Sequence, residues 1–462
     1  MTVTSLLWFR QDLRLHDQPA LAAALAEGAV IPLYILDDIT PADRKMGGAS
    51  RWWLHHSLAA LDASLRALGS RLILRRGESA AVIAALMAET GAGSIHTNRH
   101  YEPWWQEAES EIGANHDLVL HEGNQLATPA SILTGGGTRY KIFTPWWRAL
   151  VAQMPPRKPL PAPDTWGGGS DSVESDDLDD WGLLPTRPNW ATGFADWQPG
   201  EDGARAAFRT FLPKIAGYNE GRNLPTKPAI SRLAPHLHFG EISPATLWHH
   251  ASKAAGSTAE PFLREVGWRD YATNLIDQFP DYSWQNGRRA YDAMPWRTGA
   301  EANADFKAWT QGRTGYPIVD AGMRELWATG FMHNRVRMIA ASFLIKHLLI
   351  DWRRGEQWFW DTLCDADYAA NSSNWQWVAG TGVDAPMFSR IMAPLSQSEK
   401  FDAGDYVRRW VPELASVSDP WVHDPDEFGQ RPANYPGKLI GHRDARERTL
   451  AALREVREAA PD

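Results

Sequence analysis

Residues 30–74 read VIPLYILDDITPADRKMGGASRWWLHHSLAALDASLRALGSRLIL, and they decide the fold of the first part of the chain. The stretch opens on an apolar run at 30–36 and closes on another at 72–74. Between them Leu54, Leu58, Leu61, Leu65 and Leu68 recur at three- and four-residue spacing, which makes one stripe of a helix over 53–68. The same alternation continues outward, with strand-like runs at 6–9, 94–97 and 118–120 and helix-period segments between. Strands alternating with helices predict an α/β doubly wound parallel sheet over 1–130, covered on both faces. Ligands of such sheets sit beyond the carboxyl ends of the strands.

Further along, the character changes twice. Residues 131–200 form a connector, and from 155 it turns to proline, glycine and acid (PPRKPLPAPD, GGGS, DSVESDDLDD, PTRPNW). That composition predicts a linker with a solvated acidic run. From 201 to 462 the pattern is helical. Ser243-Pro244 reads as an N-cap followed by a first helical residue, and the segment 317–329 starts on proline and is closed by Gly330. The expected architecture is an α/β domain, a connector, and a larger all-α domain. There is no internal repeat.

The chain has 462 residues, 24 of them tryptophan, and a single cysteine, Cys364. One thiol excludes an intrachain disulfide, a thiolate zinc site and a four-cysteine iron–sulfur cluster, and no metal site is expected. The opening residues reach Arg10 after too few apolar positions for a signal peptide, and no run approaches the ~20 residues of a membrane span. The expectation is a cytoplasmic protein with no membrane partner. Net charge is −9, but 171–180 holds six acids and no base, which leaves −3 for the rest. Segment 331–354 carries Arg335, Arg337, Lys346, Arg353 and Arg354 against Asp351 alone, so the overall charge does not veto a local basic face.

Neither G-x-G-x-x-G nor G-x-x-x-x-G-K-[ST] occurs, which disfavours a nicotinamide dehydrogenase, a P-loop enzyme and an unrelated α/β flavoprotein oxidoreductase. The helical part holds denser signals. Asp365, Asp367 and Asn371 surround a helix start beside Trp375 and Trp377; each acid alone reads as a cap, and together they read as a polar site walled by rings. Asn334 and Met338 share a helix face, with Arg335 and Arg337 on either side. Glu265, Trp268, Arg269 and Asp270 form a third cluster, and Glu265 with Arg269 alone would be a surface ion pair. The fourth is SRLAPHLHFG at 231–240, preceded by Tyr218 and Arg222, a set that could hold a phosphate.

In this order, the clusters resemble the cryptochrome/photolyase family over nearly the whole chain: LLWFRQDLRLHD at 6–17, then SRWWLHHSLAALDASLRALG, SRLAPHLHFGEISP, WRDY, TGYPIVDAGMRELWATGFMHNRVRM, DADYAANSSNWQWVAGTG and EKFDAGDYVRRWVPEL. The first domain resembles the plant-cryptochrome-like (class III-like) bacterial branch. The resemblance implies FAD held in the helical domain by Tyr218, Ser231, Arg232, Leu233, Ala234, Arg337, Asp365, Asp367 and Asn371, with Arg337 paired to Asp365. Asn371 falls where the family's photolyases place an amide facing the flavin nitrogen that gains a proton on reduction. Glu265, Asn334, Met338, Trp268 and Trp377 match the pocket for a cyclobutane pyrimidine dimer. Arg222, Arg269, Arg335 and Gln397 match contacts to UV-damaged DNA. Trp309, Trp352 and Trp375, which alone read as core, match a tryptophan chain that re-reduces the flavin from the surface.

Glu102 in NRHYEP resembles a folate-contacting acid, so the resemblance implies an antenna chromophore, a folate such as methenyltetrahydrofolate or a deazaflavin. Ile230 and Ala234 replace the family's hydroxyl residues at the phosphate turn, and Phe331 replaces a frequent tryptophan. The implied activity is light-driven repair by a monomeric deoxyribodipyrimidine photo-lyase. The rival reading is a cryptochrome-type blue-light receptor. Asn371 and the roughly 50 residues that follow VRRWVPEL, too few for a long partner-binding tail, speak against it.

Overall fold

The computed structural model describes residues 3–170 and 172–459, so Asp171 of the acidic run lies outside the described residues. Five strands, β1 (Val3–Phe9), β2 (Gly28–Leu36), β3 (Ile73–Arg76), β4 (Ser94–Asn98) and β5 (Leu118–His121), form one all-parallel sheet in the order β3-β2-β1-β4-β5. The order reverses direction between β1 and β4, which is where a doubly wound sheet opens a crevice.

Side-chain alternation along the strands divides the core into two layers. On one face Leu6 and Trp8 of β1 join Ile31, Leu33 and Ile35 of β2 and pack with helices Ser79–Thr90 and Pro103–Asn115. Leu7 and Phe9 point the other way and pack with Val30, Tyr34 and Leu36 against Leu54, Leu58, Leu61 and Leu65 of helix Gly48–Ala67. Both faces are therefore covered, which is why β2 reads as a nearly continuous apolar run and β1 ends in one.

Segment 155–200 departs from the expected linker. Its acids Glu174, Asp177, Asp179 and Asp180 are exposed, but Trp166, Trp181, Leu183 and Trp197 are buried in the sheet's second core layer. Backbone ties hold it in place: Val30 N–H donates to Gly168 O (3.2 Å), Asp176 N–H to Leu74 O (2.9 Å), and Trp166 Nε1–H to Val30 O (2.9 Å). Tryptophans spaced among the prolines and glycines supply apolar area that a free spacer lacks.

The second part is helical. Ser243 caps helix Pro244–Ala255 by accepting from Thr246 N–H (3.0 Å), and Gly330 ends helix Pro317–Thr329 at φ 66°. Helix Asn334–Ser342 widens into a π-helical turn at Phe343–His347. Among the described residues no helix is long and apolar enough to cross a membrane.

Candidate active site

Three helices converge on one cavity of about 490 Å³, within the ~300–1,000 Å³ usual for cofactor pockets. Helix Glu260–Gln278 brings Glu265, Trp268 and Arg269. Helix Asn334–Ser342 brings Asn334, Arg335, Arg337 and Met338, and helix Tyr368–Ala379 brings Asn371, Trp375 and Trp377. Spacings of three and four residues place Glu265 with Trp268 and Arg269, Asn334 with Met338, and Asn371 with Trp375 on one helix face each. Tyr218, Arg222, Ser231, Leu233, Ala234, Asp365 and Asp367 also line it.

Caps fix where two of these helices begin. Asp367 accepts from Ala370 N–H (2.7 Å), and His333 Nδ1 accepts from Arg335 N–H (3.2 Å). Burial, with Arg337 and Arg335 nearby, pushes His333 down to about 4, so its ring is neutral at pH 7 and free to accept.

Charge inside the cavity is paired. Arg337 Nη2 lies 3.0 Å from both oxygens of the buried Asp365 carboxylate. Arg222 pairs with Glu265 and lies over the Tyr218 ring at 5.3 Å. Asn371 donates from Nδ2 to the Glu356 side chain (2.9 Å) and main-chain carbonyl (3.0 Å). Both amide hydrogens are thus taken, which leaves Oδ1 as the amide's polar atom toward the cavity.

A second cavity, about 530 Å³, meets the first at Ser231. Arg232 lines it from a left-handed backbone (φ 56°), its guanidinium 4.0 Å from the Trp197 ring, and Lys214, Lys227 and Arg409 add positive charge against Asp196 and Glu325. The residues present fit FAD. Phe359, Leu363, Trp375 and Val378 give apolar walls for a planar ring, Asn371 and the Arg337–Asp365 pair give polar anchors, and the cation-rich turn suits phosphates despite Ile230 and Ala234.

Other expected residues stand apart from this arrangement. Arg269 lines the cavity and turns inward, donating to Asn124 O at 2.5 Å with 16% of its side chain exposed. Gln397 is half-buried on helix Pro394–Lys400, near the rim that Arg335 forms by covering the Phe401 ring at 4.5 Å. Trp375 lines the cavity and its ring centroid is 6.3 Å from that of Trp309. Trp309 and Trp352 are both 0% exposed, so the three expected tryptophans do not reach the surface by themselves. Trp296 and Trp358, partly buried against the same core, are rings that spacing along the chain does not reveal.

Glu102 lies in the α/β domain and lines neither large cavity. Burial pushes its carboxyl up, but His100, 3.7 Å away, and Arg10 outweigh that and hold it down at about 2. The neighbouring Trp104 packs on Tyr368 at 4.8 Å, so Glu102 stands at the seam between the domains.

Comparison with known proteins agrees with this geometry. A family profile described as DNA photolyase matches residues 5–164, and one described as the FAD binding domain of DNA photolyase matches 262–455. The deoxyribodipyrimidine photo-lyase of Agrobacterium fabrum is 45% identical, over 99% of this chain and 98% of its own. Cryptochrome-1 of Arabidopsis thaliana is 35% identical, over 98% of this chain and 70% of its own. The crystal structure of a bacterial class III photolyase from Agrobacterium tumefaciens superposes with a TM-score of 0.93 at 44% identity, covering 99% of this chain and 98% of that one. With a parallel sheet domain, a helical FAD-binding domain and full-length identity of this order, the chain belongs to the DNA photolyase family.

Proposed function

We propose that this protein is a deoxyribodipyrimidine photo-lyase that splits cyclobutane pyrimidine dimers in DNA, using light and reduced FAD. The observation that carries the reading is the single cavity in which the FAD-anchoring residues and the dimer-facing residues stand together. Reduced FAD, when bound and illuminated, supplies one electron for cleavage of the cyclobutane ring and takes it back afterwards.

The chain's own residues do the rest. Asp365, Arg337, Asp367, Tyr218, Ser231, Leu233 and Ala234 hold the cofactor, with Arg232 at the phosphate side. Trp268 and Trp377 wall the outer cavity beside Met338, where a flipped dimer exchanges base stacking for ring contacts. Glu265, fixed by Arg222, offers a carboxyl to the damaged bases, and Asn334 at its helix start offers an amide. Arg222, Arg335 and Gln397 sit toward the rim, where contacts to phosphate position the duplex without reading its sequence. Trp375 is the inner end of an electron path that comes from the surface at Trp296 or Trp358 through Trp309 or Trp352.

The division of labour follows 1–130, 131–200 and 201–462. The first unit carries the antenna function, with a folate or deazaflavin near Glu102. The protein acts as a cytoplasmic monomer. The cryptochrome alternative uses the same flavin site, but Asn371 places a neutral amide where added negative charge would oppose an anionic reduced flavin.

The test incubates the reduced, FAD-loaded protein with a dimer-bearing oligonucleotide in light and in darkness. Thymine recovery in the light alone is expected. No recovery under illumination, with FAD bound, would leave the receptor reading standing.

A further inference from the structure

Glu356 is fully buried on helix Trp352–Thr362, and its only basic partner among the described residues comes from the other domain. Arg44, in the short turn Ala42–Arg44, places Nη1 2.9 and 2.8 Å from the two carboxylate oxygens. It is set between the rings of Trp360 (5.9 Å) and Tyr368 (5.7 Å). The loop that carries it is docked by further bonds: Trp360 Nε1–H to Lys45 O (2.9 Å) and Gly48 N–H to Asp361 Oδ1 (2.8 Å).

We propose that Arg44 is a positioning residue for the flavin site: by pairing with Glu356 it fixes which atom of the Asn371 amide faces the cavity. The inference rests on the FAD reading above and extends it to a residue of the α/β domain. Its logic is donor–acceptor matching. An ionised carboxylate and a peptide carbonyl only accept, so Asn371 must turn its NH₂ toward Glu356 and its oxygen toward the cavity. That oxygen accepts from a ring N–H, which the reduced flavin has and the oxidised flavin lacks. Burial pushes the Glu356 carboxyl up, and Arg44 opposes it. Without Arg44 a protonated Glu356 can donate to Asn371 Oδ1, only the Glu356 main-chain carbonyl still selects the NH₂, and the turned-over amide that presents NH₂ to the ring gains population. The preference for reduced over oxidised flavin would then weaken.

The test measures, in the dark, the affinity of the full-length protein for oxidised FAD, its flavin midpoint potential and its melting temperature. Arg44→Gln is expected to lower the preference for reduced over oxidised FAD about tenfold, which is about 30 mV for a two-electron couple. Arg44→Lys should restore most of it. Asp361→Ala, which loosens the same loop without touching Glu356, should leave the potential unchanged. On an Asn371→Ala background, Arg44→Gln should add no further shift.

A wild-type potential in Arg44→Gln, or an equal shift in Asp361→Ala, would show that Arg44 merely docks the loop. If Arg44→Gln does not fold, Glu356→Gln removes the same charge from within the helix and should shift the potential the same way; no shift there overturns the proposal. If Asn371→Ala itself leaves the potential unchanged, the FAD reading of position 371 fails, and that result is distinct from a failure of Arg44 alone.

Discussion

The helical cavity and the surroundings of Glu102 are both expected to hold a chromophore, and the structure treats them differently. In the cavity, residues from three helices converge around a large space, and the Asn371 oxygen and Asn334 face it. At Glu102 the acid is satisfied within its own domain by Tyr101 N–H (3.1 Å) and by His100 (3.7 Å), with the charge of Arg10 nearby, and it lines neither of the two large cavities. Residues on regular helices share a face because the helical period puts them there. A lone loop acid has no such constraint, and nearby bases claim it first.

Four experiments press on this contrast. The largest effect is expected from Arg337→Ala, which leaves the largely buried Asp365 carboxylate unpaired; breaking a fully buried pair costs about 3–5 kcal/mol, and this pair, with Arg337 partly exposed, falls below that. FAD affinity should fall at least a hundredfold, as read by flavin fluorescence. Retention of wild-type affinity would remove the pair from the cofactor's cradle.

Glu265→Ala comes next. Losing an electrostatic stabiliser of the reacting bases should cut repair yield at least tenfold while FAD stays bound. An unchanged yield would take Glu265 out of the chemistry and leave it as the partner of Arg222.

Trp375→Phe should slow photoreduction of oxidised flavin more than Trp309→Phe or Trp352→Phe, because only Trp375 of the three lines the cavity. Repair by pre-reduced protein should change little. Wild-type rates in all three variants would mean that electrons reach the flavin by another route.

The smallest effect concerns Glu102. Its folded-state pKa lies below the ordinary value of 4.5, at about 2, so its stabilising contribution is present above pH 4.5 and is lost as pH falls toward 2. Glu102→Gln should therefore flatten the acid limb of the melting profile and leave FAD binding intact. An unchanged acid limb would show that the pairing with His100 carries little stability. Loss of a non-flavin absorption band in this variant would restore Glu102 to an antenna role.

Much of the fold is legible in the sequence. The runs at 6–9, 30–36, 72–74, 94–97 and 118–120 each overlap one of the five strands; burial on both faces makes 6–9 and 30–36 continuously apolar, whereas 94–97 is buried with Ser94, His96 and Thr97 in it. The cavity residues are legible through helical spacing and family motifs. Segment 155–200 defies its composition, which reports flexibility per residue and does not show that Trp166, Trp181 and Trp197 share a core. The outer end of the tryptophan chain is hidden for a similar reason: partial exposure of Trp296 or Trp358 against burial of Trp309 is a property of packing.

The amino-acid order by itself determined the alternation that builds the sheet, the helices that carry the site, and the residue types that line the cavity. Local periodicity and capping act over a few residues, so they can be read along the chain. Only the tertiary structure decided which charges pair: Arg222 with Glu265, Arg269 with the Asn124 carbonyl, and Arg44 with Glu356 across 312 positions. Such pairing depends on distance in space and on shared burial, and neither is written in spacing along the sequence.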